Sequence, residues 1–81
     1  MTPEDRIRRA NEAQALLNNE YLVEAFEKVE KSAIEAMISA RTDGERRICA
    51  DTVRVVRDVR AALQSVVTTG QYAASRGPAI A

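Results

Sequence analysis

The 81-residue sequence has no histidine, no tryptophan, a single cysteine and only three aromatic side chains, Tyr21, Phe26 and Tyr72. General acid–base or nucleophilic catalysis needs convergent groups of tuned pKa. With no imidazole and its carboxylates spread along the chain, this sequence offers no such constellation, so we read it as not an enzyme. Metal sites draw on several Cys, His or clustered carboxylates at ligand spacing, and that pattern is also missing. No cofactor is implied. Cys49 cannot close an internal disulfide, and it falls among apolar neighbours where a small thiol packs as a hydrophobe. The opening "MTPEDRIRR" lacks the apolar run of a signal peptide, so we expect synthesis in a reducing, intracellular place. No stretch approaches the roughly 18 uninterrupted apolar residues of a membrane span. An excess of one charge is absent too. Twelve basic and twelve acidic side chains balance to zero, which argues against attachment to nucleic acid through global positive charge.

What is present is helical punctuation and helical spacing. In "TPED", Thr2 can cap, Pro3 suits the first helical position and Asp5 completes a capping-box-like arrangement. A helix is predicted from about Pro3, with Ile7, Ala10, Ala13 and Leu17 as its narrow apolar stripe. The pair Asn18–Asn19 can end that helix and cap the next. From Glu20, the residues Leu22, Phe26, Val29, Ala33, Ala36 and Ala40 step by three and four as a heptad-like seam, opposite Glu24, Lys28, Lys31 and Glu35. In "ARTDGE", Thr42 or Asp43 can cap a third helix and Gly44 can turn the chain, and so short a connection makes the neighbouring helices antiparallel.

The segment "VRVVRDV" is rich in β-branched residues and partly alternates like a strand. Its wider periodicity is helical. Ile48, Cys49, Thr52, Val55, Val56, Val59, Ala62, Leu63, Val66 and Val67 occupy about half of a wheel, with Arg47, Asp51, Arg54, Arg57 and Asp58 filling most of the rest. Gly70 after "TT" is expected to stop this helix. The predicted fold is therefore all-α: a short N-terminal helix followed by a long antiparallel helical hairpin over residues 1–70, then an extended C-terminal arm over 71–81.

Candidate binding residues lie on exposed faces. Residues 44–70 carry five arginines against three acids, net +2, and residues 20–40 carry two lysines against five glutamates, net −3. Pairing between antiparallel helices accounts for this most simply. Arg47, Arg54 and Arg57 could otherwise reach an acidic protein or, weakly, nucleic-acid phosphate. Val23, Ile34 and Ile38 form a second apolar strip on the middle helix, to be covered either by the N-terminal helix or by another chain. The tail "QYAASRGPAIA" is non-periodic. Its small residues and Pro78 suit an extended course against a neighbour, with Tyr72 and Ile80 as anchors and Arg76 as a polar contact.

Taken together, "RANEAQALLNNEYLVEAFEKVEKSAIEAMISA", "TDGERR" and "LQSVVTTGQYA" resemble short helical proteins encoded among the head and packaging genes of tailed bacteriophages and prophages. The shared features are an Ala- and Gln-rich lead into "LLNN", the Asp-Gly-Glu-Arg connection, and a last helix ending in "TG" with a polar and aromatic follow-on. The resemblance covers roughly residues 9 to 73. Met37 departs from it, standing where an aromatic is usual, and the last helix carries valines where larger residues are expected. What the resemblance implies is a structural or assembly role in a phage or phage-like particle, made in the bacterial cytoplasm and working in a homo- or hetero-oligomer. A nucleic-acid-associated packaging accessory, such as a small-terminase-like oligomer, or a small regulator or inhibitor of host machinery, is the alternative.

Overall fold

In a computed structural model, residues 1–76 are described, with the side chains of residues 1–75. They form three helices and no strand: α1 (Pro3–Leu17), α2 (Glu20–Ser39) and α3 (Asp43–Arg76). Each start is set by local hydrogen bonds. Thr2 Oγ1 accepts from the Asp5 N–H at 3.1 Å and the Asp5 carboxylate accepts from the Thr2 N–H, so the expected capping box is formed, with Pro3 in the first helical position. Asn19 Oδ1 accepts from the N–H groups of both Tyr21 and Leu22 at 3.0 Å and starts α2. Asn18 closes α1 with right-handed backbone, φ −91°, so the break between α1 and α2 uses no left-handed residue.

At the second turn, Thr42 Oγ1 accepts from Glu45 N–H at 3.1 Å while the Glu45 carboxylate accepts from Arg41 N–H. Arg46 reaches back to donate to the Ala40 carbonyl, satisfying a group that the end of α2 leaves open. Gly44 lies inside the first turn of α3 without a positive φ. The reversal is instead made by extended backbone beginning at Ala40, and the expectation that Gly44 turns the chain is corrected.

The third helix is the spine. At 34 residues it is about 51 Å long, and α1 and α2 lie end to end along it, scarcely touching one another. Glu30 meets Arg57 and Phe26 meets Arg60, so α2 runs antiparallel along the N-terminal half of α3. Leu16 sits beside Leu63, and Ile7 beside Ala74, so α1 covers the C-terminal half in the same sense. The result is a hairpin, one arm broken at Asn18–Asn19 and the other continuous, measuring 62 × 23 × 15 Å. Its radius of gyration, 17.4 Å, exceeds the about 12 Å of a compact chain this long.

The core is one seam deep. On α3, Cys49, Val53, Val56, Arg60, Leu63, Val67 and Gly70 step by four and three, and all are buried or half-buried. Facing them are Val23, Phe26, Glu30, Ala33 and Met37 on α2 with Ala40 just past its end, and on α1 the expected stripe of Ile7, Ala10, Ala13 and Leu17. The α2 seam is thus rotated from the expected one: Val29 and Ala36 face outward, while Met37 faces in. The buried side chains are small, namely Ala10, Ala13, Ala33, Val53, Val56, Val67 and Ala73, and among the described residues no large side chain is completely enclosed.

Two further expectations are corrected at the C-terminus. Gly70 does not stop α3, which continues through Tyr72 and Ala73 to Arg76. Gly70 is buried where α1 crosses, and a β-carbon there would collide with Ala10 and lie 2.7 Å from the Arg6 carbonyl oxygen. Its lack of a side chain serves close helix approach rather than a left-handed turn. The helical domain accordingly extends past residue 70, and residues 71–76 are not an extended arm. Ile80 and the rest of the expected arm lie outside the described residues.

Candidate interaction surface

The expected binding residues do not converge on one place. Arg57 Nε donates to Glu30 Oε1 at 2.8 Å, the ion pair that joins two helices among the described residues. Three other pairs, Arg8–Asp5, Arg46–Asp43 and Arg54–Asp51, are each within one helix. The pairing expected between helices is therefore made at one point. Arg47 and Arg54 are exposed on the outer edge of α3, interleaved with Asp51 and Asp58, so that edge alternates in sign instead of forming a basic stripe.

Ile34 is half-buried and Ile38 is 79% exposed, both on the side of α2 where Glu27, Glu30, Lys31 and Glu35 also line the surface. The N-terminal helix does not cover them, because it packs on the other half of α3. Tyr72 is an exposed residue of the last helical turns, and Arg76 is the last helical residue.

The feature that sequence reasoning assigned to the core lies elsewhere on the rod. Ile48, Thr52, Val55, Val59, Ala62 and Val66 form a second stripe on α3 with the same four-and-three spacing, displaced by one residue and hence about 100° from the seam that faces α1 and α2. Ile48 is 68% exposed and Val55 58%. On α2, Ala25, Val29, Ser32 and Ala36 form a matching outward stripe. Both stripes open on the same face of the hairpin, since Val29, Ser32 and Ala33 share a shallow groove with Ile48, Cys49 and Thr52, rimmed by Lys28. At the far end Leu16, also exposed, continues this face beside Leu63 and Val66, with the charged Arg9 and Glu12 next to it.

None of the ten side chains in these two stripes is charged. The Thr52 hydroxyl donates to the Ile48 carbonyl at 3.1 Å, which leaves its methyl group as the part offered outward. The sequence did hold a signal for this face: ten apolar or small positions over half a wheel are about twice what one two-helix seam consumes. Among the described residues, no cluster of His, Cys, Asp or Glu could hold a metal ion, and no helix is long and apolar enough to cross a membrane. Cys49 is half-buried in the seam.

Compared with protein-family models, curated proteins and solved structures, the chain matches none.

Proposed function

We propose that this chain is a non-catalytic assembly protein, a helical module whose work is to pack against other protein chains. The observation that carries this reading is the uncharged face of the hairpin, with Ile48, Val55 and Val59 exposed on α3 and Val29 on α2. Contiguous apolar faces with a polar rim are the usual mark of protein contact. A hairpin only one seam deep also has little hydrophobic stabilisation of its own, and association supplements it. The sequence resemblance to proteins of phage head and packaging gene clusters favours a phage or phage-like particle as the assembly.

Quantitative mass spectrometry of purified particles tests the proposal. A constant copy number per particle is expected, retained through a high-salt wash because the contact face is apolar. Absence of the chain from purified particles and from their assembly intermediates would refute the particle role.

A further inference from the structure

We infer that the uncharged face of the hairpin is the contact for a second copy of this chain, so that two hairpins close face to face as a dimer with four helices, in two layers, in cross-section. This deepens the assembly reading and rests on it for its biological setting. Three observations select a second copy as the occupant. The first is spacing. Ile48, Val55, Val59 and Ala62 repeat with the heptad period that α3 already uses toward α1 and α2, so the matching surface for this stripe is another helix pair of the same pitch. A second copy carries that surface, because Val29 and Ala36 on α2 extend the same face.

The second observation is area. A compact monomer of 8.9 kDa exposes about 4,800 Å². Counted over all 81 residues, of which the side chains of 1–75 are described, this chain exposes 6151 Å², an excess of roughly 1,300 Å². A standard protein interface hides about 800 Å² on each partner, so a single twofold contact accommodates most of the excess. The third is charge. A twofold contact places a surface against itself, and any concentration of one sign would be set against the same sign. The two stripes hold no charged side chain, Arg9 and Glu12 beside Leu16 at the far end are of opposite sign, the α3 edge alternates Arg47, Asp51, Arg54, Asp58, and the chain as a whole is neutral. On the opposite face, Glu27, Glu30 and Glu35 outnumber Lys31 around Ile34, so a contact of that face with its own copy would set acid against acid.

Sedimentation equilibrium of the full chain tests this. The parent is expected at twice the chain mass, and its thermal melt is expected to rise with concentration, as association requires. The double variant Val55→Asp/Val59→Asp is expected to sediment as a helical monomer, its dissociation constant raised at least tenfold. Ile38→Asp, at an isoleucine even more exposed than Val55 and Val59 but on the opposite face, is expected to leave the dimer intact. A monomeric parent with a concentration-independent melt overturns the inference, whatever the variants do. So does a dimer that survives Val55→Asp/Val59→Asp or is dissociated by Ile38→Asp. A monomeric chain still recovered in particles would remove this dimer and leave the assembly role standing, whereas a dimer absent from particles would do the reverse.

Discussion

Replacing Gly70 with alanine is expected to destabilise the protein, against the ordinary preference of helices. In a helix interior glycine is less favourable than alanine by about 1 kcal/mol, so an uncontacted Gly70 would make Gly70→Ala stabilising by that amount. Here the new β-carbon would meet Ala10 and lie 2.7 Å from the Arg6 carbonyl oxygen, where carbon contacts are most favourable at about 3.5–4.0 Å. Neither obstacle can swing aside, since one is a backbone atom and the other a β-carbon. The whole of α1 must therefore retreat from α3, loosening Ala10 and Ala13, which are both buried in that seam. Overpacking of this kind costs about 1–3 kcal/mol. Set against the propensity gain, the upper part of that range leaves a net loss of about 1–2 kcal/mol. For a chain this size, 1 kcal/mol moves Tm by about 4–8 °C. Circular dichroism melts at matched concentration measure the shift. A second substitution, Ala10→Gly, should restore part of the loss in the Gly70→Ala background, while Ala36→Gly, exposed on α2, should simply add. A Gly70→Ala protein that melts at or above the parent refutes the close-approach argument.

Truncation at two points tests how far the folded domain extends. Deleting residues 71–81 removes buried Ala73 and should lower the melting temperature, whereas deleting 77–81 should not, and equal melts for the two truncations would contradict the helical assignment to Arg76. Phe26 is half-buried, with the Arg60 guanidinium 5.8 Å above its ring; Phe26→Ala should cost about 1–2 kcal/mol, below the 3–5 of a fully buried aromatic, and chemical denaturation reads the difference. Arg57→Gln should destabilise by no more than about 1 kcal/mol, because Arg57 is 66% exposed although Glu30 is only 17% exposed, and the loss should shrink as salt is added. Binding to duplex DNA should be weak at physiological salt, given the alternating charges beside Arg47 and Arg54, and a fluorescence titration giving tight, sequence-selective binding there would favour a packaging accessory instead.

By itself, the sequence determined the all-α class, the three helix starts and the buried stripe of α1. The caps at Thr2, Asn19 and Thr42 are hydrogen bonds spanning two or three residues, so nothing distant is needed to specify them. The Ile7, Ala10, Ala13, Leu17 stripe was legible because its three- and four-residue spacing sets it apart between charged neighbours on α1. Helix α3 was different. Its apolar half-wheel is two adjacent heptad stripes, and a wheel fixes angles only within its own helix. Which stripe is covered depends on where α1 and α2 lie, and the tertiary structure decided for Val56, Leu63 and Val67 over Ile48, Val55 and Val59, and added Val53, which the expected half-wheel left out. Gly70 shows the same division. A glycine after two threonines reads locally as a helix end, yet the residue is helical and covered, because what it accommodates is the backbone of Arg6 and Ala10, some sixty residues away in sequence and in contact only once the hairpin has closed.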